Sequence, residues 1–196
     1  RVEKIRDSWE KQKDIKNVMI FLQQYGVSTA YAAKIYRQYG KESIDNVKEN
    51  PYRLADDIWG IGFKTADGIA SNMGYEKNDL RRCKSGIGYT LNELSNEGHV
   101  YAIEEQLVEA AKKLLEADEE PIRQAISEMI ASEDLIRENE AIYLPPFYHS
   151  ERGTARKLLT LINGKGANNL GLKADIKAIE KVSGIEYDEV QIAAIQ

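Results

Sequence analysis

The feature that most constrains this chain is a sharp glycine turn set between two helical patterns, and the chain contains it twice. Residues Asn50 to Ala70 contain Pro51-Tyr52-Arg53-Leu54-Ala55-Asp56-Asp57-Ile58-Trp59-Gly60-Ile61-Gly62-Phe63-Lys64-Thr65-Ala66. Asn50 can cap a helix, and Pro51 suits its first turn, where no backbone donor is lost. Leu54, Ala55 and Ile58 fall on one helical face. Gly60-Ile61-Gly62 ends that helix, and a second begins at once with Ala66, Ile69 and Ala70 inward. Tyr25-Gly26-Val27-Ser28-Thr29-Ala30 repeats the arrangement 34 residues earlier: Gly26 answers to Gly60, Val27 to Ile61, Ala32 to Ala66 and Ile35 to Ile69. Ser28 stands where the second glycine would be, and serine is a good N-cap.

The pattern is that of a helix-hairpin-helix, and two copies at this spacing pair into a five-helix unit. Its chemistry follows from its residue types. Glycine lets the backbone turn tightly and approach another surface. The first amides of the following helix have no intrahelical acceptor and point outward, where the helix dipole favours an anion. Ile61 would plug the turn into the core, and Lys64 and Thr65 add a cation and a hydroxyl. The fitting ligand is a backbone phosphate, held without base reading. The other meaning of such a turn is a tight interhelical link that binds nothing. In the first copy the Ser28 side chain hinders close approach, so Gly26, Ser28, Thr29 and Ala30 form the second candidate site after Gly60, Ile61, Gly62, Lys64 and Thr65.

Charge matters next, because a net charge of -5 argues against a phosphate binder. The acidity is local. Residues 1–84 carry 16 Lys/Arg against 12 Asp/Glu, whereas residues 116–140 carry 2 against 9. The half with the hairpins is mildly basic. Lys77, Arg81, Arg82 and Lys84 add a small basic cluster, which offers either further phosphate contacts or a solvated helix face.

The rest of the chain reads in order. Arg1 to Gln24 is one long helix or two nearly collinear ones, and the pattern is already under way at Arg1, as in a piece of a longer protein. Gly86-Ile87-Gly88 imitates the hairpin, but Asn92 replaces the packing alanine, and Leu80, Ile87, Leu91 and Leu94 predict one continuous helix. Gly98 to Tyr101 is expected as a short strand. Helices follow over 104–117 and 119–132, then a hairpin of Leu135–Glu138 and Ala141–Leu144 turning at Asn139-Glu140. Strand, two helices and hairpin form a winged-helix-like unit whose second helix lies in the acidic segment, which favours a packing or protein-contact role over phosphate binding. Pro145-Pro146 ends the hairpin, Phe147 to Ile162 is helical, and Asn163 to Asn169 is a loop. Helices over 174–181 and 187–196 close the chain, with a break at Ser183-Gly184.

No GxxxxGK[ST], HExxH, GxSxG or CxxC occurs. His99 and His149 stand apart, and the single Cys83 supports neither a disulfide framework nor a thiolate metal site. No run is long and apolar enough for a membrane span. A reducing, cytoplasmic setting is the expectation, with no catalytic residue, metal or cofactor in this chain itself.

Glu49 to Ala55 and Ile58 to Asp67, together with Phe21-Leu22-Gln23, Tyr36 to Gly40, Tyr89 to Glu93, Gly98 to Tyr101 and Tyr143-Leu144-Pro145, closely resemble the RecD-like ATP-dependent DNA helicases of bacteria, a family whose name is shared with the exodeoxyribonuclease V alpha subunit. The resemblance implies a hairpin region that precedes a superfamily 1 motor using ATP and Mg, in DNA repair and recombination. It implies that Gln191, in Gln191-Ile192-Ala193-Ala194, is the adenine-reading glutamine of that motor. The implied partners are single-stranded or forked DNA, the motor, and a single-strand binding protein or repair factor. The expected fold is mainly α: tandem hairpins over 1–76, a helical linker and winged-helix-like α+β unit over 77–148, and a helical connector over 149–196. The expected function is sequence-independent DNA binding in support of the motor. The alternative is a scaffolding module that touches DNA little, and a cation held by hairpin carbonyls is a third option.

Overall fold

A computed structural model describes residues 2–163 and 176–195. Residues 1–150 form one compact unit and residues 151–196 another. The first unit opens with α1 (Val2–Gln24), α2 (Thr29–Tyr39), a 3-10 turn at Gly40–Glu42, α3 (Ser43–Glu49), α4 (Arg53–Asp57) and α5 (Phe63–Asn72). Ser28 caps α2, its hydroxyl accepting the Tyr31 N–H at 3.3 Å. Asn50 Oδ1 accepts the Tyr52 N–H at 3.1 Å, so Asn50 and Pro51 start α4 as their sequence predicts. These helices share a core of Val18, Leu22, Val27, Ile35, Val47, Leu54, Ile58, Ile61 and Ile69. Tandem hairpins thus close on one another through their apolar faces.

The chain then runs through α6 (Leu80–Asn96), β1 (Ala102–Ile103), α7 (Glu104–Leu115), α8 (Glu119–Ala131), β2 (Ile136–Glu138) and β3 (Ala141–Tyr143). The strands form an antiparallel sheet in the order β1-β3-β2, with Ala102 opposite Ile142 and Arg137 opposite Ile142 from the other side. After the linker helix α6, two helices with a three-stranded antiparallel sheet make the small α+β unit that the sequence predicts. Asn139 turns the hairpin with φ of 55°. One expectation fails: Gly98 to Tyr101 is no strand. Gly98 has φ of 96°, and its N–H and that of His99 bond to Ser95 and Leu94 carbonyls, closing the C-terminus of α6. The strand begins only at Ala102.

Gly86-Ile87-Gly88 lies within α6, as expected. Gly86 serves close packing there, since a Cβ at that position would stand 2.6 Å from Leu115 Cδ2, in a fully buried side chain of α7.

The two parts of this unit have their own cores, and α5 contributes to both. α5 is buried on two sides: Ile69 faces the hairpin core, while Phe63, Ala66 and Ala70 join Tyr52 in a second core with Cys83, Ile87, Leu107, Leu115, Ile126 and Ile142. Phe63 stacks on Tyr89 of α6 at 5.4 Å and on Tyr52 at 6.3 Å. At the seam Asp67 of α5 takes both Arg82 Nε (2.7 Å) and Nη2 (2.9 Å), and it also accepts the Tyr52 hydroxyl at 2.9 Å. Arg82 Nη1 donates to the carbonyls of Lys77 and Leu115.

The unit of residues 151–196 contains most of α9 (Pro145–Asn163), together with α10 (Ile176–Ser183) and α11 (Glu189–Ile195). Gly184, with φ of 67°, ends α10 where the sequence predicts a break. The expected loop lies outside the described residues from Gly164 to Asn169, as does the expected helix start at Ala174.

The Asp67–Arg82 pair is largely shielded, with side chains 23% and 13% exposed. Removing one partner of such a pair strands the other charge. Arg82→Met is therefore expected to destabilise the protein by about 3 kcal/mol in urea unfolding, whereas a change under ~0.5 kcal/mol would show that the seam does not depend on it.

Candidate nucleic-acid interface

The second hairpin is built by local necessity. Gly60 has φ of 92° and Gly26 has φ of 81°, a region L side chains avoid. Each glycine follows a carbonyl that is clamped from the opposite hairpin. Lys34 of α2 donates to the Trp59 carbonyl at 3.1 Å, and Asn72 of α5 donates to the Tyr25 carbonyl at 2.9 Å. A Cβ on Gly60 would stand 3.2 Å from Lys34 Nζ, and one on Gly26 would stand 3.1 Å from Asn72 Nδ2. The hairpins thus hold each other's turns reciprocally. The Tyr31 hydroxyl adds a bond to the Gly60 carbonyl at 3.0 Å.

Ile61 is buried and anchors the turn, as its apolar character predicts. Beyond it, Gly62 caps α5 from extended backbone (φ −99°, ψ 175°), with its carbonyl accepting the Thr65 and Ala66 N–H groups. Among the described residues, the N–H groups of Gly62, Phe63 and Lys64 have no intramolecular acceptor, and Gly62 is exposed. Nothing lies within 4 Å of where a Gly62 Cβ would be, so the space beside Gly62 is open. Lys64 is exposed, its ammonium 5.7 Å from the Tyr89 ring centre, and Thr65 is half-buried. In the first hairpin the N–H groups of Ser28, Thr29 and Ala30 are likewise exposed and without an internal acceptor among the described residues, but the Ser28 hydroxyl is occupied by Tyr31.

The basic cluster is committed to the fold. Arg82 serves the seam, and its hydrogen bonds to the Asp67 carboxylate push its pKa above the ordinary arginine value. Arg81 is held by Asp79 (2.6 Å), the Glu49 carbonyl and the Tyr75 ring. That bond in turn draws the Asp79 carboxyl below its usual range. Lys84 pairs with Glu128 at 2.7 Å, and Lys77 with Glu116 at 2.7 Å. Burial pushes the Tyr52 hydroxyl upward, with its bond to Asp67 adding to the shift, so it stays a donor. Burial also pushes the Cys83 thiol upward, which keeps it unreactive. Each of the four cations has a carboxylate partner: Glu116 for Lys77, Asp79 for Arg81, Asp67 for Arg82 and Glu128 for Lys84.

A cleft of about 730 Å³ opens beside the hairpin. Gly62, Phe63, Arg81 and Lys84 line it together with Asp56 and Asp134. Gln191 belongs to the unit of residues 151–196. Its side-chain oxygen accepts the Asp188 N–H (3.1 Å), and Asp188 Oδ1 accepts the Val190 N–H (2.7 Å), which forms an N-terminal capping box for α11.

Sequence reasoning passed over Lys34, Tyr31 and Trp59. Trp59 is 92% exposed at the tip of the second hairpin, with Lys34 Nζ 5.5 Å from its ring centre. The 34-residue repeat carried the signal, since it places Trp59 opposite Tyr25 and brings α2 against the second turn.

Two glycine-turned hairpins with reciprocal clamps and open helix N-termini define a tandem helix-hairpin-helix region. Residues 11–101 match the family model described as the ATP-dependent RecD2 DNA helicase HHH domain. It is similar to the ATP-dependent RecD2 DNA helicase of Deinococcus radiodurans, 22% identical over 182 residues that cover 86% of this chain and 25% of that protein. The chain spans about a quarter of that relative's length. Among the described residues no helix is long and apolar enough to cross a membrane.

The two glycines of the second hairpin separate structure from surface. Gly60→Ala is expected to cost about 1–2 kcal/mol in thermal or urea unfolding, because it forces a Cβ into left-handed backbone. Gly62→Ala, with ordinary φ and open space, is expected to stay within ~0.5 kcal/mol. Equal losses at both positions would contradict this division of roles.

Proposed function

We propose that this region holds DNA by its sugar-phosphate backbone, without reading sequence, as a non-catalytic accessory to a RecD-like ATP-dependent helicase motor. The observation that carries this reading is the row of open amides at Gly62, Phe63 and Lys64. A phosphate oxygen supplies the acceptors those amides lack, the α5 dipole favours its charge, and the exposed Lys64 adds a cation. Gly26 and Ser28 to Ala30 form the second contact, weaker because serine replaces glycine. The substrate is single-stranded or forked DNA near the motor, in repair or recombination. ATP and Mg belong to the motor, where Gln191 would read adenine once its capping bond to Asp188 is exchanged.

The alternative, a scaffold for the motor, a single-strand binding protein or a repair factor, draws on α8. Glu119 and Glu120 open this helix at the position a winged helix uses to read DNA. Glu119 is tied to Lys112 and Arg123, and Glu105 to Arg123, so the wing is knitted together by its own ion pairs. A phosphate would meet carboxylates there.

Fluorescence anisotropy with labelled single-stranded, duplex and forked DNA tests the proposal. Binding is expected to weaken with salt, with a log–log slope of about −2 for roughly three phosphates on a single strand. Gly62→Val is expected to weaken binding about tenfold while the protein stays folded, since each lost charge-assisted bond is worth ~1.5 kcal/mol or more. A folded Gly62→Val protein that binds as wild type would contradict the role of the amides. Absence of binding at low salt would favour the scaffold.

A further inference from the structure

The two hairpins place their equivalent aromatic residue in opposite ways. Tyr25 precedes Gly26 as Trp59 precedes Gly60. Tyr25 is half-buried against the hairpin core, edge-on to Phe21 with ring centres 5.0 Å apart. Trp59 protrudes, 92% exposed, and no aromatic ring pairs with it among the described residues. The fold gains little from the indole, because apolar groups stabilise in proportion to the area they remove from water. Its backbone is nevertheless pinned: Lys34 holds the Trp59 carbonyl, and the same ammonium stands 5.5 Å from the ring centre.

The surroundings of the indole carry the argument further. The open amides begin three residues later, at most ~11 Å away even along an extended chain. A nucleotide whose phosphate rests on those amides brings its base within reach of the ring. Aromatic faces stack on any base, which suits a hairpin that reads no sequence. In continuous duplex both faces of each base are covered by neighbours, so the ring can engage only an unpaired or terminal base.

We propose that Trp59 is a stacking platform for an unpaired nucleobase, so that the second hairpin takes single-stranded DNA or the open arm of a fork in preference to continuous duplex. This rests on the phosphate-binding reading of the same hairpin and adds to it the residue that distinguishes an unpaired base from duplex.

The sequence holds two tryptophans, Trp9 and Trp59. In the Trp9→Phe protein, indole emission reports on Trp59 alone. Titration with oligothymidylate is expected to quench that emission. Trp59→Ala is expected to weaken oligothymidylate binding about tenfold, from the loss of one stacked base. Duplex binding should change by less than about twofold, and Trp59→Phe should recover most of the loss. Unchanged oligothymidylate affinity in Trp59→Ala, with Gly62→Val still impaired, would overturn the stacking role and leave the phosphate site standing. Equal losses on single strand and duplex would overturn the preference. Absence of DNA binding by the wild-type chain would remove both proposals together.

Discussion

The bidentate pair between Asp67 and Arg82 is the interaction on which the rest of the first unit depends. Asp67 sits on α5, the helix that follows the second glycine turn, and Arg82 sits on the first helix of the wing. Through Tyr52, the Lys77 carbonyl and the Leu115 carbonyl, the pair reaches α4, the turn before α6 and the end of α7. Because α5 is buried on both sides, its N-terminus cannot rotate without disturbing two cores. A fixed N-terminus matters for anion binding: amides aimed in advance lose little freedom when a ligand arrives. The packing of α5 and the openness of Gly62 are therefore parts of one arrangement.

The turns themselves are fixed by a different device. Each hairpin's carbonyl before its first glycine is gripped by a side chain of the other hairpin, Lys34 on one side and Asn72 on the other. Neither hairpin is complete alone, which gives a physical reason for the tandem repeat. The copies then diverge at the surface. The second offers glycine, a lysine and an exposed indole, while the first offers a capped serine and a tyrosine folded inward. Nearby, Lys77 and Lys84 pair with Glu116 and Glu128 of the wing, while Arg81 and Arg82 pair with Asp79 and Asp67.

Much of the fold was legible in sequence because its signals are local. Gly26 and Gly60 announced the turns, Ser28 announced a cap, and the apolar spacing of Leu80, Ile87 and Leu91 showed that Gly86 and Gly88 are helical. The misplaced strand at Gly98 to Tyr101 came from ignoring the cost of closing a helix: Gly98 and His99 are needed at the end of α6. Arg81, Arg82 and Lys84 were visible as a basic cluster, but their carboxylate partners lie 15 or more positions away in two cases, and no periodicity reveals such pairings. Ala66, Ile69 and Ala70 were correctly read as buried, but not that they face two different cores. Trp59 was missed because local pattern assigns an aromatic residue to the interior by default, and only the comparison with Tyr25 shows that this one has no interior to enter.

The most direct measurement is a titration of the isotope-labelled chain with a short single-stranded oligonucleotide, followed by amide nuclear magnetic resonance. If the open amides hold the backbone, the signals of Gly62, Phe63 and Lys64 will shift first and furthest, those of Ser28 to Ala30 will follow, and the amides of α8 will stay in place. Shifts concentrated on α8, or shifts that leave Gly62 to Lys64 unmoved while DNA is bound, would contradict it.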